Sequence, residues 1–374
     1  AGGDTANPAG GDTANPAGES EKISSLQKLV SEASQNPDDP SARAHVKQAV
    51  LTALNDKSIP FREIRDLIDG GPPAVGGIDY LQSYDGPRST FDFARGQTPD
   101  PEVVQALQNR AIYEVEHNPN AFTDNKAALQ AVIDDVRQNG DKLKLERDVT
   151  NSIDPSLTPE EKAAALLLLA QQNEPLLNQF FAKIDDQFGS HSVSDVKSFG
   201  NILNKAVRGD VLEKANDRDI QFQVEHIRDS VRGKIVLNDI SDLPTVFKML
   251  QDEGKEQGFQ VIKAEPEKFA TPTKTGWRNV QLDLLFDNGQ IGEVSVRVRE
   301  LEDVPDNHQD YEIIRTSAPN SPEFKQAIRR SNGIFDQAYR AYLERTGQTE
   351  DDVRRYLNQV SLLHADPDAA ALPA

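Results

Sequence analysis

Two runs of alternating apolar and polar residues, 279–286 and 291–298, constrain the fold of this chain more than any other feature. A period of two is that of a β-strand, in which successive side chains point to opposite faces. Asn288 and Gly289 lie between the runs and are typical of the turn in a β-hairpin. The apolar side chains must share the buried face, so we expect the polar ones on the other face. Those polar residues are Gln281, Asp283, Glu293, Ser295 and Arg297.

The length of the hairpin loop decides which residues face each other. A two-residue loop would place Glu293 beside Leu284 on an apolar face, whereas one more loop residue keeps the charged side chains together. We therefore predict a three- or five-residue loop in which Gly289 adopts a left-handed conformation. The predicted facing pairs are Glu293 with Leu285 and Arg297 with Gln281.

The segments around the hairpin complete an α+β pattern. Short β-branched runs predict strands at 234–237 and 259–263, and the apolar stripe between them predicts a helix at 242–254. Strand, helix, strand and hairpin in this order indicate an α+β domain. Two amphipathic helices are predicted after it, at 321–346 and 349–360.

The first half of the chain has the period of helices rather than strands. The clearest helix start is at Thr158, because Pro159 suits the first helical position and Glu161 completes a capping box. The apolar run that follows predicts the central helix of an α-helical domain. The predicted helices lie around residues 23–30, 46–54, 61–67, 101–117, 127–138, 158–173 and 174–188.

Composition divides the chain into segments. The sequence AGGDTANP occurs twice in residues 1–16, and such small polar residues predict a flexible leader, either a tether to another module or a plain disordered terminus. Residues 72–101 are rich in Gly and Pro and predict an ordered loop that can hold one strand. The predicted segments are a leader at 1–20, a helical domain at 21–190, the α+β domain at 191–362 and a disordered tail at 363–374.

Charge and residue usage exclude several classes of function. The net charge of −20 over 374 residues argues against a broad nucleic-acid-binding surface, although a local basic pocket is compatible with it. The absence of cysteine excludes disulfides and cysteine-based sites, and the histidines lack the spacing of a zinc site. No run of residues predicts a membrane span or a signal peptide. Because the chain begins at Ala1 and its one methionine is Met249, we expect a processed precursor or an excised fragment.

Two acidic residues are expected to converge at one edge of the predicted sheet. Asp229 lies a few residues before the strand at 234–237, so it can approach Glu293 in the hairpin. Mg²⁺ commonly takes one or two carboxylates and completes its shell with water and phosphate oxygens. The alternative is a solvated sheet face with ordinary ion pairs. The cations available for phosphate are Arg228, Arg232, Lys234, Lys274 and Arg297.

Three strings in this region resemble a known family when their order and spacing are taken together. They are HIRDSVRGKIV at 226–236, TKTGWRNVQL at 273–282 and GEVSVRV at 292–298. They resemble the synthetase domain of RelA/SpoT proteins and of their toxin relatives. That family has an Asp five residues before a basic residue, a G-loop of the form K-x-N-G-Y-x-S-x-H and a strand E-V-Q-I-R. The corresponding positions are Asp229 and Lys234, with Arg232 and Gly233 between them, then Lys274 to Gln281, and Glu293 to Arg297.

Two flanking strings extend the resemblance over about residues 195–345. In the ATP-contacting segment of the family, R-x-K-x-x-x-S-x-x-x-K, Lys197 and Lys205 keep the spacing, but the leading Arg falls on Asp195. The His that ends the G-loop is Gln281 in this chain. A later His-x-x-Tyr-Glu-x-x-Arg string is matched by His308, Tyr311, Glu312 and Arg315.

The resemblance implies transfer of pyrophosphate from ATP to the 3′-hydroxyl of a purine nucleotide, with Mg²⁺ as the cofactor. It implies that Asp229 and Glu293 are catalytic and bind the metal, and that Glu293 assists deprotonation of the attacking hydroxyl. Trp277 stands where the family has the Tyr that stacks on the acceptor base. The residues implied to bind substrate are Lys197, Lys205, Arg232, Lys234, Lys274, Trp277, Gln281, Arg297, His308 and Tyr311.

Two functions from different classes follow. The first is an active pyrophosphokinase, delivered as a secreted or injected effector. The second is a degenerate domain that serves as a structural or partner-binding protein, because Asp195 and Gln281 depart from the family pattern. A protein partner would be expected to bind through the N-terminal helices. Release of AMP from ATP distinguishes the two functions.

Overall fold

The computed structural model describes residues 16–35, 40–68, 101–304, 308–318 and 320–365. The described residues form two compact units that divide after Glu114. Three predictions lie mainly outside the described residues: the flexible leader, the ordered loop at 72–101 and the disordered tail. Residues 16–20 and 363–365, which were predicted as leader and tail, are helical.

The first unit is helical, as its apolar stripes predicted. Leu54, Ile64 and Leu107 are buried in it. Arg110 is also buried, at 1% exposure, and its guanidinium donates hydrogen bonds to backbone carbonyls that include that of Ile59 at 2.6 Å. This charge therefore stabilises the turn after the second helix. The helices of this unit are α1 (Pro16–Gln35), α2 (Pro40–Asn55), α3 (Phe61–Ile68) and most of α4 (Pro101–His117).

The second unit contains a mixed five-stranded sheet, so the predicted α+β class is confirmed. Its strands are β1 (His191–Val196), β2 (Val231–Leu237), β3 (Phe259–Glu265), β4 (Val280–Phe286) and β5 (Ile291–Val298). Their order is β1-β2-β5-β4-β3, with β2 and β5 parallel and the other neighbours antiparallel. Strand β1 was not predicted, because its sequence HSVSDV is polar and its outward side chains are exposed at the edge of the sheet.

Helices surround this sheet. They are α5 (Lys126–Asn139), α6 (Lys142–Asp148), α7 (Pro159–Phe188), α8 (Phe199–Val207), α9 (Gly209–Asn216), α10 (Leu243–Asp252), α11 (Glu267–Ala270), α12 (Arg299–Glu302), α13 (His308–Thr316), α14 (Pro322–Thr346) and α15 (Glu350–Ala365). Two 3₁₀ turns, Val224–His226 and Ile240–Asp242, flank β2. No helix in the described part of the chain is long and apolar enough to cross a membrane.

Helix α7 differs from the prediction in its length and in the part of the structure on which it packs. The capping box is present, since Thr158 and Glu161 exchange hydrogen bonds between side chain and backbone. The helix then continues through Pro175, where two helices were predicted. Phe180 and Phe181 are buried against the sheet, and this burial offsets the loss of one backbone hydrogen bond at the proline. Helix α7 therefore packs on the sheet rather than forming the centre of a separate helical domain.

The two faces of the sheet are covered differently. The apolar face packs against α7, α10, α14 and α15 in one large core. On the opposite face, α5 and α6 cover one end of the sheet, where Leu129 and Ile133 pack against Leu285 and Ile291. Helices α5 to α7 thus belong to the same compact unit as the sheet, whereas the sequence placed the domain boundary near residue 190.

The hairpin of β4 and β5 has the predicted loop but not the predicted register. Phe286 pairs with Gln290 around a three-residue loop, and Gly289 has a φ of +80°. Glu293 faces Asp283, not Leu285, and the partner of Gln281 is Ser295 rather than Arg297. The observed register differs from the predicted one by two residues. An even shift leaves each side chain on the same face, so the polar face is as predicted although the facing pairs were wrong.

Candidate functional site

Asp229 lies just before β2 and is held between two lysines. Lys197, which follows β1, places its Nζ 2.9 Å from Asp229 Oδ2, and Lys205 of α8 places its Nζ 2.7 Å from Oδ1. Burial alone would raise the pKa of Asp229, but the two lysines outweigh it and lower the pKa to about 2. Asp229 is therefore a largely buried carboxylate that stays charged at neutral pH.

Glu293 is the third residue of β5, and its surroundings raise the pKa of its carboxyl group instead of lowering it. Burial first, and then the negative charges of Asp229 and Asp283, raise its pKa to about 7, against the lowering effect of Lys205 and Lys268. The hairpin register explains part of this shift, because Asp283 lies directly opposite Glu293. The two predicted catalytic acids thus lie close enough for the charge of one to change the protonation of the other.

Gln281, which stands where the resembled family has a His, has an orientation fixed by its neighbours. Lys268 Nζ donates to Gln281 Oε1 at 2.6 Å, so the amide nitrogen faces the other way. That nitrogen donates to Glu293 Oε2 at 2.9 Å. A chain of two hydrogen bonds therefore connects the ammonium group of Lys268 to the carboxylate of Glu293.

Trp277 is already stacked. The guanidinium carbon of Arg297 lies 4.1 Å from the centre of the Trp277 ring, and the Phe335 ring meets Trp277 edge-on with 5.3 Å between ring centres. Gly276, just before it, has a φ of +83°, and an added Cβ would lie 2.8 Å from the backbone of Asn332. The loop that presents Trp277 is thus held tightly against α14.

The remaining predicted cations are engaged with acids in most cases. Lys234 pairs with Glu302, and Arg297 Nη1 lies 2.7 Å from the other oxygen of the same carboxylate. Arg232 pairs with Asp195 across β1 and β2. Arg228 Nη1 donates to the buried Asp283 at 2.7 Å, which makes Arg228 a bridge within the site rather than an open phosphate ligand.

Three predicted substrate-binding residues remain, and two of them have exposed side chains. Lys274 is exposed and lines a separate concavity with Phe324 of α14, and Tyr311 is 46% exposed on α13. The side chain of His308 lies outside the described residues. The roles of these three residues stay predictions.

A pocket of about 300 Å³ opens beside Glu293 on the polar face of the sheet. The pocket contains cations that the motifs did not indicate. For one of them, Lys263, the sequence carried a signal, because this charged residue lies within an apolar strand. His226 also lines it, and burial lowers the pKa of that imidazole. The charged residues that line the pocket are Lys205, Lys214, Arg218, Arg228, Lys263 and Lys268, with Glu146, Glu265, Asp283 and Glu293.

The donor atoms near Asp229 fit magnesium better than zinc. Among the described residues, no group of three or more His, Asp or Glu side chains is arranged around a common metal position. A pair of carboxylates is nevertheless what Mg²⁺ commonly takes when phosphate oxygens and water complete its shell. The mutual repulsion that raises the pKa of Glu293 is the kind of interaction that a bound cation relieves.

Comparison with known proteins finds solved structures that are similar to this chain. No family model and no curated protein matches the chain. The chain is similar to small alarmone synthetase 2 from Bacillus subtilis, with 19% identity over 48% of this chain and 94% of the other, at a TM-score of 0.35. Small alarmone synthetase 1 from Bacillus subtilis, bound to its product pppGpp, is 17% identical over 49% of this chain and 91% of the other, at 0.36.

A third similar structure is the complex of the type VI effector Tas1 with its immunity protein. It is 17% identical over 47% of this chain and 95% of the other, at a TM-score of 0.33.

Proposed function

We propose that this chain is a Mg²⁺-dependent nucleotide pyrophosphotransferase, which moves pyrophosphate from ATP to the 3′-hydroxyl of a purine nucleotide. One observation carries the proposal. Asp229 and Glu293 lie within electrostatic reach of each other, one kept charged by two lysines and the other with a pKa near neutrality, beside a pocket lined with cations. A solvated face with ordinary ion pairs gives no reason for two largely buried acids to repel each other.

Lys197 and Lys205 are the groups best placed to hold the ATP phosphates. Phosphoryl transfer asks the protein mainly to position its reactants and to neutralise charge on the transferred group. Both ammonium groups are largely buried, with side-chain exposures of 12% and 24%, so their fields are weakly screened. Arg232, at the exposed rim of β2, would add charge as ATP enters.

Asp229 and Glu293 would hold Mg²⁺, which when bound would supply Lewis-acid neutralisation of phosphate charge. The ammonium groups of Lys197 and Lys205, which pair with Asp229, would also bind phosphate oxygens. A lysine side chain has a long flexible stem, so its ammonium group can reach more than one partner.

The proposed reaction is an in-line displacement at the β-phosphorus of ATP. The 3′-oxygen of the acceptor forms a new bond to that phosphorus while the bond to the α-phosphate oxygen breaks, and AMP leaves with that oxygen. Glu293 is the group placed to take the hydroxyl proton, because it is a half-buried carboxylate at the pocket wall. Trp277, stacked under Arg297, would support the acceptor base from its remaining exposed surface.

Incubation of the full chain with Mg²⁺, ATP and either GTP or a second adenine nucleotide tests the proposal. AMP and a nucleotide that carries a 3′-pyrophosphate are the expected products, separated by anion-exchange chromatography. Asp229→Asn and Glu293→Gln should each abolish AMP release. Asp252→Asn is the matched control, because Asp252 is 54% exposed and pairs with Lys248 on the surface of α10.

The degenerate-domain alternative predicts the opposite pattern. No nucleotide acceptor would support AMP release, and no nucleotide would raise the melting temperature of the chain. Delivery of the chain as an effector, and a protein partner for the N-terminal helices, stay predictions from the sequence.

A further inference from the structure

The part of the pocket formed by β3, α6 and α9 has chemistry that the proposed site does not use. Lys263 of β3 and Arg218, just after α9, both bind the carboxylate of Glu146, which α6 contributes. Lys263 Nζ lies 2.8 Å from Glu146 Oε1, and Arg218 binds the other oxygen, Oε2. One carboxylate thus bridges two cations through both of its oxygens. None of these three residues belongs to the motifs discussed above.

A β-bulge in β3 is what directs Lys263 into the pocket. The pairing of β3 with β4 shifts by one residue between Val261 and Lys263. Val261 and Ala264 both lie in the core on the apolar face, while Ile262 packs against α5 and α6 on the other face. Without the extra residue, strict alternation would put Lys263 on the core side with Val261. The bulge therefore serves to place an ammonium group on the polar face.

The buried ammonium group of Lys263 requires an anionic partner whether or not a ligand is bound. The Lys263 side chain is 9% exposed, and a lysine buried to that degree is costly unless it is paired. Glu265, two residues along β3, lies 3.3 Å away and also binds Lys268 at 2.6 Å, so it is shared between two cations. The short contact of Lys263 is the one with Glu146.

Of the four acids that line the pocket, Glu146 is the one that does not stand on the sheet. Glu265, Asp283 and Glu293 stand on the strands of the sheet, so their backbone positions are fixed. Glu146 stands on α6, which has seven residues, and its partner Arg218 is 50% exposed. A phosphate group presents the same pattern of anionic oxygens to a lysine and an arginine as this carboxylate does.

We infer that Lys263 and Arg218 form an anion-binding subsite for phosphate groups, in which the carboxylate of Glu146 occupies the place that a phosphate takes when ligand binds. Lys268, joined to Lys263 through Glu265, extends the subsite towards Glu293. The inference deepens the proposed function, on which it rests for the identity of a nucleotide ligand, because it assigns where the acceptor's phosphates would bind. Binding of phosphate itself does not depend on catalysis.

The test measures binding of inorganic pyrophosphate to the full chain by isothermal titration calorimetry without ATP. Removal of the competing charge in Glu146→Gln should tighten binding about tenfold, the size expected for a charged hydrogen bond. Arg218→Gln, at a side chain that is 50% exposed, should weaken binding by about the same factor. Glu267→Gln is the matched control. Glu267 pairs with Lys142, which lies on the same helix as Glu146, but Glu267 does not line the pocket. Control binding should equal that of the unaltered chain.

Binding in Glu146→Gln that is equal to or weaker than in the unaltered chain would overturn the inference. If that variant does not fold, Arg218→Gln decides, and unchanged affinity there overturns it. The same titration with ADP and GDP distinguishes a nucleotide from free pyrophosphate as the ligand, since only a nucleotide gains from contacts beyond the phosphates. Tighter pyrophosphate binding without AMP release in the transfer assay would sustain the subsite and reject the proposed enzyme.

Discussion

Arg232 of β2 lies directly opposite Asp195 of β1, and its Nε donates to the Asp195 carboxylate at 2.9 Å. In the sequence, Asp195 stood out as an acid where the resembled family has an arginine. The pairing neutralises this acid with a cation from the neighbouring strand. Asp195 therefore carries no uncompensated negative charge at this edge of the sheet.

We predict that Arg232→Gln weakens ATP binding about threefold, because it removes a cation and leaves Asp195 uncompensated at the rim. The double variant Arg232→Gln with Asp195→Asn should recover most of this loss. Fluorescence titration with a labelled ATP analogue measures both. Since the two side chains are 48% and 56% exposed, the free energy of unfolding should change by less than about 1 kcal/mol. An unchanged affinity in the single variant would place ATP elsewhere.

Lys197 and Lys205 should matter more than Arg232, because they are more buried. Lys197→Met and Lys205→Met are each expected to weaken ATP binding by about tenfold, the loss of one charged hydrogen bond to phosphate. Lys183→Met provides the control, because Lys183 is a half-exposed lysine of α7 that pairs with Glu253. Equal affinities for the three variants would show that the lysines serve only to stabilise Asp229.

Gln281 is expected to position Glu293 rather than to touch the reacting atoms. Gln281→Leu removes the donor to Glu293 and should lower kcat by about tenfold with a smaller change in KM. Gln281→His retains a donor and should recover part of the rate. Gln260→Leu is the control, since Gln260 lies on neighbouring β3 and its amide donates to Gln130. Steady-state kinetics of AMP release separate these cases, and a normal kcat in Gln281→Leu would rule out the positioning role.

The hairpin shows how far the sequence could lead. Alternation of apolar and polar residues determines which face Glu293 occupies, and this prediction is confirmed. The facing partner depends on where the three loop residues begin, and both odd choices keep the same face. The choice is stabilised by a contact from another segment, because Ser152 N donates to Gly289 O at 3.0 Å. Such a contact, 137 positions away, leaves no local signal in the hairpin sequence.

The positions of the pocket cations also could not be predicted from local sequence. Strict alternation would put Lys263 in the core, and only the bulge turns it outward. Helix α7 was divided in two by its proline, since local propensity cannot include the burial of Phe180 and Phe181 against the sheet. What the sequence could supply was therefore the acids and their lysines, which recur at fixed spacings in short strings. What it could not supply was the wall of the pocket, which is assembled from separate elements.

Gly289→Ala should destabilise the chain by more than the conformational strain alone. An added Cβ would lie 1.9 Å from Ser152 Oγ, and the φ of +80° is itself unfavourable for alanine. We expect the free energy of unfolding in urea to fall by about 3 kcal/mol. Gly347→Ala isolates the strain, because Gly347 has a φ of +68° with nothing within 4 Å of its Cβ position, and it should cost only about 1 kcal/mol. Equal losses in the two variants would mean that the contact with Ser152 yields without cost.

His364, near the end of α15, should make stability depend on pH in a defined window. Burial first, and then the charges of Arg137 and Lys142, lower its pKa from 6.5 to about 4. The ring packs edge-on against Phe247, with 6.1 Å between ring centres, in a setting that disfavours the imidazolium ion. Between these two pKa values the unfolded chain binds a proton that the folded chain does not. Stability should therefore be complete above about pH 6.5 and decrease as the pH falls towards 4.

Urea unfolding at several pH values measures this contribution as the difference between the unaltered chain and His364→Phe. Phenylalanine keeps an aromatic ring in the site but cannot bind a proton, so the variant should lose less stability on acidification, by about 2 kcal/mol at pH 4. Acids elsewhere titrate in both proteins and cancel in the difference. His191→Asn should follow the unaltered chain, because His191 is exposed on β1. Parallel pH curves for His364→Phe and the unaltered chain would mean that His364 gains its proton in the folded state as easily as in water, and that the end of α15 opens to solvent before the core does.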